Sequence, residues 1–398
     1  MGTWRGLHVV FIVGSLFVIL LIIAYWDDVG GFNLYPLRDR KHERCPQTAA
    51  APTLLASFAG ISSTTWAPAG TTNKSAEGRD RPQLGSEDKE SDESRDLAGS
   101  REQMARKRRI VDVCSGKDFP GRTRAFEQIP NRELDHLIVD DTHQIIYCYV
   151  PKVACTNWKR VMVVLSQSLV SPVSGKPYTD PESVPPDLVH NSSLHLTFAK
   201  FWRHYGSLSR HLMALKLQHY TKFLFVRDPF VRLISAFRNK FGRPNEDFYR
   251  QFGSVILRRY GNLSGSLPET AAEAFASGIK PTFQQFVSYL LDAETEKESF
   301  FNEHWRQVYR LCHPCQVKYD FIGRLETLET DADHLLKLLQ VDHLLRFPSG
   351  ARNRTAASWE RDWFAQIPVS MRTELYKLYQ PDFELFGYPE PDGVLHHQ

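Results

Sequence analysis

The residue types of YVPKVACTN, at positions 149–157, suit the binding of an anion. The β-rich apolar run Ile145–Val150 predicts a buried strand, which Pro151 ends because proline has no N–H to donate to a sheet. Helical spacing follows over Asn157–Leu165, with a capping threonine or asparagine at its start. Backbone N–H groups and the positive helix terminus face the loop between strand and helix, and Lys152 adds a full charge. These features predict a phosphate-binding loop.

A second strand–loop–helix unit begins at Lys222–Asp228, KFLFVRD. Its apolar run predicts another buried strand, and Pro229 suits the first turn of the helix that follows. Arg227, Arg232 and Ser235 stand near this turn. Two such units predict an α/β fold with a parallel central sheet flanked by helices.

The two loops differ from those that bind nucleoside triphosphates. The first has no glycine and no GxxxxGK[ST] motif. A kinase would also need a metal-binding carboxylate after a second strand. Asp228 has that place, but the adjacent Arg227 favours an anion over magnesium. We therefore expect a phosphate site without a metal, and a magnesium-dependent kinase is the less favoured class.

The N-terminal part of the chain predicts a membrane anchor and a tether. Residues 9–26 are eighteen uncharged, mostly apolar residues, close to the roughly 20 that span a bilayer. We expect a cytosolic tail at 1–8, a transmembrane signal anchor at 9–26 and a folded lumenal domain at 110–398. The polar composition of 27–109 predicts a disordered stem. Sequons that fit a lumenal domain are Asn73, Asn191, Asn262 and Asn353.

Two basic segments have few counter-charges in the sequence around them. Arg106–Arg109 ends the stem and predicts a solvated charge run, with a processing site and a glycan-binding patch as alternatives. Between Asp187 and Asp228 there is no acidic residue. That stretch predicts a field that attracts an anionic polymer, with an ordinary basic helix face as the alternative. Apart from Arg227, its cations and histidines are Lys200, Arg203, Arg210, Lys216, Lys222, His190, His195, His204, His211 and His219.

The segments YCYVPKVACTNWK and FLFVRDPFVRLISAFRNKF resemble the two cofactor signatures of the Golgi carbohydrate sulfotransferases, sulfotransferase family 2. The likeness is closest to the chondroitin 4-O-sulfotransferases of that family. HLIVDD, FNEHWRQVYRLCHPC, RNRTAASW and DFELFGYP extend the likeness over most of the chain after the stem. The resemblance implies transfer of a sulfuryl group from 3′-phosphoadenylyl sulfate (PAPS), bound at a P-loop-like site of the sheet.

The resemblance also implies which residues hold PAPS. The first loop would cradle the 5′-phosphosulfate, through Pro151, Lys152, Val153, Ala154, Cys155, Thr156 and Asn157. The second would hold the 3′-phosphate, through Arg227, Asp228, Pro229, Phe230, Val231, Arg232, Leu233, Ile234 and Ser235. The residue chemistry agrees, since arginine offers a planar fork to a phosphate and serine a hydroxyl donor.

Two side chains are predicted to act in catalysis. Lys152 would stabilise the charge that develops on the leaving oxygen as the S–O bond breaks. His195 would accept the proton of the sugar hydroxyl, because a histidine pKa of about 6.5 suits a general base. Alternatives for the base are His190, His304 and Glu303. Predicted acceptor-binding residues are Lys200, Arg203, His304, Arg352 and Arg354.

The cysteine pattern favours disulfides over a metal site. Cys312 and Cys315 form a single CxxC, whereas zinc needs about four ligands. In an oxidising lumen we expect a disulfide that involves one or both of them. Cys155 lies in the first loop, where a disulfide to another cysteine would brace it.

The predicted function is therefore sulfation of a glycosaminoglycan at the Golgi membrane by a single-pass type II protein. The acceptor would be the 4-hydroxyl of N-acetylgalactosamine in chondroitin, and also in desulfated dermatan. Alternatives are terminal N-acetylgalactosamine on N-glycans, dermatan alone, or a catalytically silent glycan-binding protein. No nucleic-acid partner is expected.

Overall fold

The protein is described here by a computed structural model, and all of the described residues belong to the unit Asp80–Gln398. They are residues 87–117, 119–120, 122–262, 265–349 and 362–396. The predicted tail, the anchor and most of the stem lie outside these ranges, as do Asn73, Arg352, Asn353 and Arg354. Across these ranges we find no helix with the length and apolar character needed to cross a membrane.

A five-stranded sheet forms the centre of the fold, in the order β3-β1-β2-β4-β5. The strands are β1 Leu137–Asp140, β2 Ile145–Cys148, β3 Leu196–Thr197, β4 Thr221–Val226 and β5 Phe321–Arg324. β2, β4 and β5 are parallel neighbours, whereas β1 pairs antiparallel with both β2 and β3. The sheet is thus mixed, and the prediction of a parallel sheet was correct only for one side of it.

The antiparallel pairing arises from a hairpin that the sequence patterns did not reveal. β1 and β2 are joined by a four-residue turn. The carboxylate of Asp140 accepts the Thr142 N–H at 3.1 Å, and Gln144 adopts a φ of 56°. This turn reverses the chain and adds a strand before the first predicted one.

Helices cover the sheet and extend beyond it. They are α1 Glu87–Ser115, α2 Cys155–Leu165, α3 Phe198–Tyr205, α4 Leu208–His219, α5 Pro229–Phe241, α6 Glu246–Phe248, α7 Ser254–Tyr260, α8 Ala271–Ala276, α9 Phe283–Leu291, α10 Ala293–Glu298, α11 Val308–Cys312, α12 Leu328–Leu338, α13 Val369–Phe386 and α14 Asp392–Leu395. The two predicted strand–loop–helix units are present as β2–α2 and β4–α5.

Two apolar cores hold these elements in place. The first surrounds β2 and β4, whose residues are almost all buried, as expected of strands covered on both faces. Gly323 of β5 is required there, because a Cβ at this position would lie 2.1 Å from the Phe225 ring. The second core is rich in aromatic side chains and joins α5 to α9 and α13.

The folded domain begins before the predicted boundary at Ile110. α1 crosses that boundary, and the Gln103 side chain bonds to both the N–H and the carbonyl of Ile322, at 2.9 and 3.0 Å. Arg106 donates to the same carbonyl at 2.7 Å and to Asp331 at 2.8 Å. Part of the predicted stem therefore covers the exposed edge of β5, and Arg106 is not a solvated charge.

Each cysteine of the CxxC pairs with a different partner. Cys315 bonds to Cys114 at the end of α1, and Cys312 bonds to Cys148 at the end of β2. Both cysteines therefore form disulfides, as expected. Cys155 is free, so the predicted disulfide bracing the first loop is not formed with any of the described cysteines.

Arg106→Ala is expected to destabilise the protein by about 3 kcal/mol, because the buried Asp331 carboxylate loses its cationic partner and keeps only neutral hydrogen-bond donors. Arg108→Ala is the matched control, since its side chain is 84% exposed and lies 3.9 Å from Asp112. Urea unfolding of the full chain measures both variants. Equal stability of the two would show that α1 is not part of the folded domain.

Candidate active site

A cleft of about 1520 Å³ opens where β2 and β4 end. Its polar lining comes from the loops after these strands, from α2, from α5 and its C-terminal end, and from the segments before β3, α9, α11 and α13. These residues are Tyr149, Lys152, Cys155, Thr156, Lys159, His190, Arg227, Ser235, Arg238, Asn239, Lys240, Arg243, Lys280, Thr282, Glu303, His304 and Gln366. The carboxyl ends of parallel strands are the usual place for ligands in α/β sheets.

The first loop is shaped to face an anion with its backbone. Lys152 and Ala154 have φ values of 71° and 52°, and the N-cap residue of α2, Ala154, offers no side-chain hydrogen bond to the helix. Cys155 and Thr156, in the first turn of α2, line the cleft. The N–H groups and the positive dipole of this terminus are thus available to a bound anion. Of the predicted loop residues, Val153 is buried and Asn157 lies outside the lining.

The second loop contributes fewer residues than predicted. Arg227 and Ser235 line the cleft. Asp228 caps α5 instead, accepting the N–H groups of Phe230 and Val231 at 2.9 and 3.0 Å, and burial raises its pKa to about 6. The other predicted residues lie outside the lining and are Pro229, Phe230, Val231, Arg232, Leu233 and Ile234.

Arg232 is buried and connects the two sides of the cleft. Its guanidinium donates to the carbonyls of Pro151, Glu303 and Arg306, at 3.0, 2.9 and 2.8 Å. The side chain is buried and is not among the residues that line the cleft. Arg232 therefore positions the first loop, and the geometry does not support a direct contact with a phosphate.

The charges of the cleft are strongly one-sided. Seven cationic side chains line its described part, whereas Glu303 is the only carboxylate there. Burial, and then the neighbouring cations, chiefly Lys240, lower the pKa of Lys152 to about 8. Burial and the cations Lys240 and Lys152 also hold the pKa of His304 far below its ordinary value. The cleft therefore suits a multiply charged anion.

Several lining residues escaped the sequence analysis. Lys159 lies with its Nζ 3.8 Å from the Tyr149 ring centre, and Lys240 lies 4.1 Å from that of Phe248. Tyr149 directly follows β2, and this place at the end of a predicted strand could have identified it as a lining residue. Lys240 is in the last turn of α5 and had no local signal, because helix faces are set by packing.

His195 lies outside the cleft, and its position does not support the predicted role as base. Its side chain is buried, and its Nε2–H donates to the Val189 carbonyl at 2.7 Å. Burial lowers the pKa of His195 to about 4. The three alternatives, His190, His304 and Glu303, all line the cleft.

These three residues differ in their contacts. Glu303 accepts the Tyr149 hydroxyl at 3.1 Å and keeps about a third of its side chain exposed. His304 Nδ1 bonds to Asn302 at 2.7 Å, and His190 Nε2 lies 3.1 Å from the Thr156 hydroxyl.

The predicted acceptor cations Lys200 and Arg203 are not part of the cleft. Lys200 donates to the Ser193 carbonyl, and Arg203 is exposed on α3. His304 is the one described member of the predicted acceptor set that lines the cleft. The sequon residues Asn191 and Asn262 are exposed.

Comparison with known proteins identifies the family. Residues 135–389 match the model of the sulfotransferase family (Sulfotransfer_2), so the chain belongs to that family. It is 50% identical over 413 residues to carbohydrate sulfotransferase 12 of Xenopus laevis, covering 96% of this chain and 97% of that protein. It is 51% identical over 409 residues to the Mus musculus protein of the same name, with 96% and 97% covered.

A more distant relative matches less of the chain. Carbohydrate sulfotransferase 11 of Rattus norvegicus is 40% identical over 289 residues, covering 72% of this chain and 76% of that protein. No solved structure matches.

The family implies PAPS as the sulfate donor, and the residues of the cleft fit it. PAPS carries two phosphates and a sulfate. The uncapped terminus of α2 with Lys152 provides one anion site, and Arg227 with Ser235 provides a second.

Affinity for 3′-phosphoadenosine 5′-phosphate, the desulfated donor, is expected to fall as pH rises through about 8. Lys152 binds an anion in its protonated form, and its lowered pKa means that this form is lost earlier than in an ordinary lysine. Titration calorimetry from about pH 7 to about pH 10 measures the fall. In Lys152→Arg the affinity should persist to higher pH, and an identical fall in that variant would contradict the assignment.

Proposed function

We propose that this protein transfers the sulfuryl group of PAPS to the 4-hydroxyl of N-acetylgalactosamine in chondroitin, with desulfated dermatan as a second acceptor. One observation carries the proposal. Two anion-binding loops meet in one cleft, and the described lining of that cleft has a single carboxylate. The resemblance to chondroitin 4-O-sulfotransferases over both loops supports the acceptor class.

Lys152 has the central role in the transfer. As the sulfuryl group passes to the sugar oxygen, negative charge develops on the bridging oxygen of the donor. The Lys152 ammonium stabilises this charge in a partly buried site, where such interactions are stronger than in water. Arg227 and Ser235 hold the 3′-phosphate and contribute binding rather than chemistry.

Glu303 is the proposed general base. It is the only carboxylate of the described lining, so it is the one group whose negative charge attracts the proton of an acceptor hydroxyl. The Tyr149 hydroxyl and the Arg232 bond to its backbone fix its position. His304 is a weaker candidate, because burial, and then the neighbouring cations, hold its pKa far below its ordinary value.

The cellular placement is part of the same proposal. The apolar residues 9–26 would anchor the protein in the Golgi membrane with the domain in the lumen. Two disulfides in the described chain support an oxidising compartment.

The test is an acceptor panel with the full chain and PAPS labelled in its sulfuryl group. Chondroitin, desulfated dermatan and an N-glycan with terminal N-acetylgalactosamine are compared, and disaccharide analysis locates the label. We expect label at the 4-position of chondroitin. Label at the 6-position, or on the N-glycan alone, would overturn the proposed acceptor. Absence of label on every acceptor would overturn the proposed sulfotransferase activity.

Lys152→Met is expected to lower kcat by about 100-fold or more, since a preorganised charge partner of the transition state is lost. Arg250→Ala is the control, because its exposed side chain pairs with Glu246 outside the cleft. Initial rates at saturating donor measure both. A kcat near that of the unmodified protein in Lys152→Met would remove Lys152 from the chemistry.

Glu303→Gln is expected to lower kcat by about 100-fold or more at unchanged affinity for the desulfated donor. The glutamine keeps an oxygen for the Tyr149 hydroxyl, so the loss reports the base rather than the fold. His190→Ala, His195→Gln and His304→Ala should each retain more activity. The opposite result would identify His304 as the base: kcat falls about 100-fold in His304→Ala, whereas Glu303→Gln stays active.

A further inference from the structure

The helix α3 presents two large aromatic rings to solvent beside cationic side chains. Trp202 is 40% exposed and Tyr205 is 46% exposed. Arg203 and His204 lie between them in the same turn and are also exposed. We call these four residues the α3 surface. They lie outside the cleft lining, so the site described above does not account for them.

The two exposed rings of the α3 surface each pack on a buried phenylalanine of the same helix. Trp202 packs on the buried Phe198, with ring centres 6.4 Å apart, and Tyr205 packs on the buried Phe201 at 6.1 Å. Both are pairs four residues apart on one helix, which brings the side chains onto one face. The rings are therefore pre-positioned and would lose little freedom on binding a ligand.

The charge around the α3 surface is positive. Most cations of the acid-free stretch 188–227 have internal partners: Arg210 bonds to Asn131, Lys216 pairs with Asp141 and Lys222 with Asp320. Arg203 remains at the surface. Asp135 is the carboxylate close to Arg203, and it accepts the Ala199 N–H at 2.8 Å at the start of α3.

The sheet places the start of α3 at the same edge as the cleft. Thr197, the last residue of β3, pairs with Ile138 of β1. The neighbouring Leu137 pairs with Cys148, the last residue of β2, from which the chain enters the first loop. β3 is thus two strand spacings from β2, about 10 Å. His190, which lines the cleft, belongs to the segment that leads into β3.

We infer that the α3 surface is a second binding site for the acceptor polymer, outside the catalytic cleft. It binds a uronate-containing stretch of the glycan chain whose other part lies in the cleft. Trp202 and Tyr205 stack on the apolar faces of sugar rings, and Arg203 with His204 faces the carboxylates. The inference rests on the proposed function and adds to it a preference for long chains.

The geometry favours a glycan over a membrane as the occupant. A lipid surface against α3 would lie at the edge of the sheet where the cleft opens and would obstruct the acceptor. A polymer that leaves the cleft along this edge meets the α3 surface without such a conflict. The α3 surface also offers both kinds of contact that such a chain needs, aromatic rings for the apolar faces of sugars and the Arg203 guanidinium for a carboxylate.

The test compares long and short acceptors on the double variant Trp202→Ala/Arg203→Ala of the full chain. KM for polymeric chondroitin is expected to rise about tenfold, equivalent to about 1.4 kcal/mol. The kcat/KM for a chondroitin disaccharide, whose N-acetylgalactosamine and single uronate would both be held in the cleft, should stay unchanged. Added salt should reduce the difference on the polymer. Unchanged affinity for the desulfated donor verifies the fold.

The control is Arg250→Ala/Leu338→Ala, which removes an exposed cation and an exposed apolar side chain outside both sites. Two results would overturn the inference: an unchanged KM for the polymer in the α3 variant, or an equal loss of kcat/KM on both acceptors. Weaker binding of the variant to anionic vesicles, or weaker self-association, would not rescue the inference in either case. If the unmodified protein sulfates neither acceptor, the proposed function fails instead. Direct binding of polymeric chondroitin to the two double variants then decides the inference by itself.

Discussion

The buried guanidinium of Arg232 is the contact on which the geometry of the active-site cleft depends. A charge that is taken out of water must be compensated by hydrogen bonds. Here the compensation comes from three backbone carbonyls, those of Pro151, Glu303 and Arg306. Because these carbonyls belong to the first anion-binding loop and to the segment of the proposed base, one side chain sets the spacing between these two parts of the cleft. The residue that resemblance assigned to a phosphate thus acts through the backbone around the site.

The same cleft concentrates positive charge at a cost to the free protein. Its seven cations repel one another, and burial with this repulsion already lowers the pKa of Lys152 to about 8. An anionic donor relieves the repulsion and favours the charged form of Lys152. The pKa of His304 is lowered mainly by burial and further by the same cations, so an anionic donor would relieve only the second of these effects.

Sequence patterns were sufficient where local chemistry determines the structure. The apolar runs predicted β2 and β4 within two residues at each end, and Pro229 marked the start of α5. They were insufficient where a distant partner decides. The charged part of α1 is ordered because Gln103 and Arg106 bind β5, more than 200 residues away in the chain. Likewise, the sequence around His195 did not indicate that its ring bonds to the Val189 carbonyl instead of facing the cleft.

The disulfide Cys148–Cys312 extends the constraint that Arg232 begins. Cys148 ends β2, just before the first loop, and Cys312 ends α11, which follows the Glu303 segment. Asp382 of α13 fixes the start of α11 by accepting the N–H groups of Val308 and Tyr309 at 2.6 and 2.9 Å. The first loop and the Glu303 segment, which form two sides of the cleft, are therefore connected both covalently and by buried hydrogen bonds. Such rigidity suits a transfer in which the protein stabilises developing charge with groups that need not move.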